Sequence, residues 1–115
     1  MSFERACATA EVEADEALAV TVGDVEVAVA RHTTDDGDEF FALQNLCSHA
    51  AVELSEGEVA DCTIECWLHG STFDLRTGKP TTLPATEPVA TFPVEVRDDA
   101  VYVDVTTTLN GVRPT

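Results

Sequence analysis

The chain holds 115 residues, with 22 Asp or Glu against six Lys or Arg, a formal charge of −16. That length fits one domain, and the charge excludes recognition of DNA, RNA or anionic lipid through a basic face. The longest unbroken apolar runs are four residues, such as Val27-Ala28-Val29-Ala30, so no segment reads as a membrane-spanning helix or as a secretory signal. The opening ten residues carry an early Glu and no apolar block, and the expectation is a mature cytoplasmic protein. Only one lysine is present, Lys79. Such a balance suits either a high-salt cytoplasm or an acidic docking face for a basic redox partner.

In chain order, the first element is an apolar strand holding Cys7, which reads as a small buried hydrophobe. Glu11–Glu16 suggests a short helical turn. Ala17–Val22 and Val25–Arg31 are strands joined by Gly23-Asp24, a hairpin signature. Val25, Val27 and Val29 alternate with Glu26, Ala28 and Ala30, the pattern of a half-buried strand. Asp35-Asp36-Gly37-Asp38 is a polar turn, and Glu39–Gln44 resumes an apolar strand. The middle is broken by Gly57, Gly70, Gly78, Pro80 and Pro84, with short strand candidates at Glu58–Ala60, Thr63–Cys66 and Thr72–Asp74. Val94–Arg97 and Ala100–Val105 flank Asp98-Asp99 as a last hairpin, and Thr106–Thr115 reads as a tail. The predicted fold is all-β: antiparallel sheets with a loop-rich segment inserted at about residues 45–84.

Four cysteines and three histidines stand in the chain, and four of these seven form a pattern. Cys47-Ser48-His49 is followed, after sixteen residues, by Cys66-Trp67-Leu68-His69. Four cysteines in a reducing compartment suggest metal rather than a disulfide frame. A zinc finger would pair Cys with Cys and His with His on a following helix. Here each half offers one thiolate and one imidazole. The mixture suits two irons of different softness, one held by two thiolates and the other by two imidazoles. A mononuclear zinc site remains the rival at this point.

These residues resemble the Rieske [2Fe-2S] ferredoxins. The resemblance runs from about Arg5 to Val105 and is densest at Cys47–His49, at Glu65–Asp74, and at Arg76-Thr77-Gly78-Lys79 with Leu83-Pro84-Ala85. It implies that Cys47 and Cys66 bind the buried iron, that His49 and His69 bind the outer iron, and that Pro84 belongs to a loop covering the cluster. It also implies a single domain over residues 1–115, with the cluster-binding part at about 45–84.

Rieske proteins of respiratory quinol-oxidising complexes carry an extra cysteine in each cluster loop, joined as a disulfide, and a membrane anchor. Val52 and Leu68 occupy those two positions here. The sequence is instead similar to ferredoxins serving aromatic-ring dioxygenases, and to small Rieske proteins encoded beside Fe–S assembly genes, whose second loop reads much like Ile64–Lys79. The implied partners are a flavin or ferredoxin reductase and a terminal non-haem iron oxygenase. The alternatives are an accessory role in Fe–S assembly and a small subunit of an assimilatory reductase. With His49 and His69 used, only His32 remains, so the two-His-one-carboxylate iron of an oxygenase catalytic subunit cannot be built. The chain reads as an electron carrier rather than an enzyme.

The resemblance also places Ser71 at a hydroxyl donor of high-potential members and Phe73 where those have a tyrosine. One donor fewer and a strongly negative chain imply a potential toward the low end of the range of about −150 to +300 mV. Cys62 reads as a structural or free thiol and His32 as a surface polar residue. Trp67 and Leu68 read as packing around the site, with Leu68 a candidate for an apolar docking rim. Asp74 and Arg76 could pair and brace the loop, although a solvent-exposed pair contributes little, and Thr77-Gly78 reads as a turn. Glu53, Glu56, Glu58 and Glu65 fall between the ligand pairs, where they could steer a basic partner.

Overall fold

The computed structural model describes residues 3–46, 52–67, 70–82 and 87–112. Its strands are β1 (Glu4–Ala8), β2 (Glu16–Val22), β3 (Val25–Thr34), β4 (Gly37–Gln44), β5 (Val59–Ala60), β6 (Thr63–Cys66), β7 (Ser71–Asp74), β8 (Thr91–Phe92), β9 (Val94–Arg97) and β10 (Ala100–Val103). They form three antiparallel sheets, ordered β1-β10-β9, β2-β3-β4-β8 and β5-β6-β7.

The tight links have the backbone that two-residue hairpins need. Gly23, with φ +60, is the first central residue between β2 and β3. Asp98 and Asp99 lie in the left-handed region between β9 and β10, as do Asp61 and Cys62 between β5 and β6. Aspartate tolerates that region better than most side chains; Cys62 does so only because its neighbours hold it. β3 and β4 run further than their apolar residues suggested. Thr34 Oγ1 donates to Gly37 O at 2.8 Å, Thr33 Oγ1 donates to Asp38 Oδ1 at 2.9 Å, and Arg31 pairs with Asp38.

The expectation of a half-buried β3 needs correcting. Val27, Ala28, Val29 and Ala30 are all inaccessible. Ala28, Ala30 and Leu43 face a cluster with Leu54, Ile64, Cys66, Phe73 and Leu75. Val27, Val29 and Ala42 face another with Cys7, Val12, Val101, Val103 and Phe92. The central sheet is thus covered on one side by β1, β9 and β10 and on the other by β5, β6 and β7. Alternation survives as large Val on one face and small Ala on the other, so the same text describes two buried faces. Each fully buried Val, Leu or Phe contributes about 1.5–3 kcal/mol.

Two further expectations change. The helical turn lies earlier, as a 3₁₀ turn at Thr9–Glu11, because the Glu11 carboxylate accepts the Ala8 N–H at 2.8 Å and Asp15 takes a left-handed φ of 56° into β2. The chain after β10 is not a loose tail. Asp104 is buried and accepts the Thr106 N–H at 2.9 Å. Leu109 N–H then donates to Thr91 O at 2.8 Å. Asn110 Nδ2 donates to Thr77 O and Val89 O, each at 2.8 Å, while its Oδ1 accepts the N–H of Val112 at 3.2 Å and of Thr91 at 3.4 Å. Residues 104–112 therefore strap β8 to the Thr77–Gly78 turn. A Cβ on Gly78 would stand 2.1 Å from Val89 O, so only glycine lets that turn lie so close. The short β8, unmarked in the sequence, exists because β4 offers it an edge at Ala42 and Leu43.

Asn110→Ala removes all four side-chain hydrogen bonds of this strap. The expected loss is about 1–3 kcal/mol of unfolding free energy, read as a lowered denaturant midpoint with unchanged cooperativity.

Candidate metal centre

Of the four expected ligands, Cys66 lies within the described residues; Cys47, His49 and His69 lie outside them, as do Leu68 and Pro84. Cys66 is the last residue of β6 and pairs directly with Ser71, the first of β7. Both are fully buried. Between them Gly70 donates its N–H to Cys66 O at 2.9 Å and takes φ +76, with nothing among the described residues within 4 Å of where a Cβ would stand, so the turn needs its conformation rather than its small size. Trp67 lies half exposed at this turn and is not part of the buried apolar cluster.

The Cys66 sulfur sits in the apolar cluster with Leu54, Val59, Ile64 and Phe73. A thiolate in such a place is poorly solvated and is stable when it is bonded to a cation. A buried cysteine is equally stable as a neutral thiol, as at Cys7 and Cys62, and the Cys66 environment also fits a thiolate ligand of an iron–sulfur group. Among the described residues no group of three or more His, Cys, Asp and Glu side chains is disposed to hold a metal ion, and no helix is long and apolar enough to cross a membrane.

Two polar staples surround this strand pair. Thr72 N–H donates to Thr82 Oγ1 at 2.9 Å and Thr81 N–H donates to Thr72 O at 2.7 Å, which fastens residues 81–82 to β7. At the end of β4, Gln44 and Asn45 are buried carboxamides. Gln44 Nε2 donates to Leu46 O at 2.8 Å and its Oε1 accepts the Ala90 N–H at 2.9 Å. Asn45 Nδ2 donates to Glu53 Oε1 at 3.1 Å and its Oδ1 accepts the Ser55 N–H at 2.8 Å. Sequence reasoning missed this pair. The available signal was two carboxamides closing an apolar strand immediately before the first cysteine motif. A cleft of about 290 Å³ opens beside them, with Asp24, Glu26 and Glu53 among its walls.

The expected Asp74–Arg76 ion pair does not form. Asp74 Oδ1 accepts the backbone N–H of Arg76 at 2.7 Å and of Thr77 at 3.2 Å, closing its own turn. The Arg76 guanidinium turns the other way, donating to Cys62 Sγ at 2.9 Å and to Glu39 Oε1 at 3.2 Å beside the Phe41 ring. Local capping wins because the carboxylate reaches two adjacent amides without ordering a long side chain. Burial pushes the Cys62 thiol pKa up, with Arg76 pulling against it; burial, aided by Glu11, also raises that of Cys7. His32 is more buried than a surface residue, its Nδ1 3.6 Å from Asp15 Oδ1.

Because only the thiolate is nucleophilic, a raised pKa leaves less of it at a given pH. Iodoacetamide at pH 8 should label Cys7 and Cys62 of the folded protein more slowly than in the urea-unfolded chain, because both thiols are buried and their pKa values are raised, measured peptide by peptide with mass spectrometry.

Comparison with known proteins agrees with this arrangement. The Rieske [2Fe-2S] domain profile matches residues 2–93. The anthranilate 1,2-dioxygenase ferredoxin subunit of Burkholderia cepacia is 44% identical over 95 residues, covering 83% of this chain and 84% of that protein. The ferredoxin of carbazole 1,9a-dioxygenase from Nocardioides aromaticivorans IC177 superposes with a TM-score of 0.81 at 35% identity, covering 90% of this chain and 97% of that one. A chain from the complex of reduced oxygenase and oxidized ferredoxin in carbazole 1,9a-dioxygenase does so with a TM-score of 0.76 at 34% identity, covering 88% and 91%. Profile, sequence relative and superposition converge on one architecture and one cofactor: the chain belongs to the Rieske [2Fe-2S] family, with one such cluster per chain.

Proposed function

We propose that this protein is a one-electron carrier that receives electrons from a flavin or ferredoxin reductase and delivers them to a terminal non-haem iron oxygenase. The observation that carries the reading is similarity along most of both chains to a dioxygenase ferredoxin subunit. In this reading the chain has no catalytic residue of its own, forms one domain with its cluster-binding part at about residues 45–84, and works in the cytoplasm.

Cys47 and Cys66 are assigned to one iron and His49 and His69 to the other, with two of the four in each motif. When bound, the cluster takes up and returns one electron. The chain's part is to hold the cluster, exclude water on the protein side and set its potential. Buried Cys66 and the apolar side chains beside it support the second of these tasks. For the third, Ser71 stands opposite Cys66 with its hydroxyl buried, while Phe73 is buried against Ile64 and has no hydroxyl to give. Fewer donors and the −16 charge both disfavour an added electron.

The acidic surface is assigned to docking: Asp24, Glu26 and Glu53 line a cleft beside Asn45, and Glu56 and Glu58 are exposed nearby. Long-range attraction of this kind is screened by salt. A high-salt cytoplasm would favour the same composition.

Low-temperature EPR of the dithionite-reduced protein, with iron and sulfide assays, tests the assignment. A rhombic signal with average g below that of all-cysteine clusters and two irons per chain is expected; bound zinc with no signal would overturn it. Cys66→Ala should abolish the signal. A redox titration should give a midpoint below the centre of the range of about −150 to +300 mV. The rate of reduction by a flavin-dependent reductase should fall as ionic strength rises, and a flat profile would remove the acidic docking face from the reading.

A further inference from the structure

We propose that Asn45 and Gly57 are positioning residues for the Cys66 sulfur, acting through the 3₁₀ turn Leu54–Glu56. The inference rests on the assignment of Cys66 as a cluster ligand.

Asn45 suspends this turn from the end of β4. Its backbone N–H donates to Glu26 O at 3.1 Å, so its main chain is tied to β3, the centre of the molecule. Its carboxamide then accepts the Ser55 N–H at 2.8 Å and donates to Glu53 at 3.1 Å. The turn so held presents Leu54, fully buried, to the apolar cluster that contains Cys66.

Gly57 follows at once. A Cβ there would stand 1.6 Å from the Glu65 carbonyl oxygen and 2.8 Å from the Glu65 carbonyl carbon. These atoms belong to the peptide that joins Glu65 to Cys66. Gly57 has φ −88, which any residue adopts, so glycine is required for space and not for backbone conformation. On leaving the turn, Glu58 O accepts the Glu65 N–H at 2.9 Å, closing the contact from the other side.

β6 pairs with β7 on one edge as far as Cys66, but on its other edge β5 reaches only Thr63 and Ile64, so strand pairing leaves that edge open at Glu65 and Cys66. The path from β3 through Asn45, the turn and Gly57 to the Glu65–Cys66 peptide supplies the missing constraint. Groups that orient a ligand without touching the metal commonly change affinity by about 10–100-fold when removed.

The test compares the wild-type holoprotein with Gly57→Ala, Asn45→Ala and the double variant Asn45→Asp/Glu53→Gln. The double variant keeps the net charge and restores the 45–53 bond with donor and acceptor exchanged, the carboxylate still accepting Ser55 N–H. Three quantities are read: cluster release into a chelator, the g values of the reduced cluster, and the denaturant midpoint of the β framework. Gly57→Ala and Asn45→Ala should release the cluster at least about tenfold faster with displaced g values. The double variant should return to within about twofold of wild type with wild-type g values. Wild-type release and g values in either single variant, or a double variant as impaired as Asn45→Ala, would overturn the proposal. If Gly57→Ala does not fold, the Asn45 pair decides. A wild-type protein without a Rieske signal would overturn the Cys66 assignment itself, a failure distinct from that of the buttress.

Discussion

Burial of the central sheet on both faces is the constraint from which the rest of this structure follows. β3 and β4 have no solvent face along Val27–Ala30 and Ala42–Leu43. Each must therefore be covered twice, by β1, β9 and β10 on the valine side and by β5, β6 and β7 on the alanine side. The small alanines let Phe73, Leu54 and Ile64 approach closely. The strand pair carrying Cys66 is consequently packed against the fully buried central sheet, although its own strands are short. Its rigidity is borrowed through side-chain packing rather than generated by its own hydrogen bonds.

Polar side chains do the joining where sheets give way to loops. Gln44, Asn45, Asp74, Thr82 and Asn110 each bond to backbone groups that strand pairing leaves over. Such groups must be satisfied if they are buried. One carboxamide serving two partners achieves this with little side-chain ordering. The result is a set of loops whose roots are fixed while their composition stays rich in Gly and Pro.

Much of this was legible in the sequence. Hairpin links at Gly23-Asp24 and Asp98-Asp99 declared themselves because few residues tolerate the backbone they need. The Cys and His motifs pointed to a metal centre, and it was their resemblance to the Rieske ferredoxins that named the [2Fe-2S] cluster over zinc. What stayed hidden depends on partners distant along the chain. A Val/Ala strand covered once and one covered twice share the same alternation, so β3 looked half exposed. A two-residue strand such as β8 carries no periodicity at all. Arg76 had an acid two residues away, yet it reached Cys62 and Glu39 instead, which only the tertiary fold brings near. The C-terminal residues looked like a tail because Asn110 reaches Thr77 and Val89 across more than a strand's width of sequence.

The pairing of the first strand with the last has a consequence for biosynthesis. β1 spans residues 4–8 and finds its partner, β10, only at residues 100–103. Contacts so remote in sequence form late, because the loop they close must be ordered first. On the ribosome, β2, β3, β4 and the strands around Cys66 emerge well before β10, and Cys7, Val12 and the valine face of β3 stay uncovered until the final strand leaves the exit tunnel. The side bearing Cys66 is thus built from strands close together in sequence, β5 to β7, while the opposite side closes only once β10 is available to pair with β1.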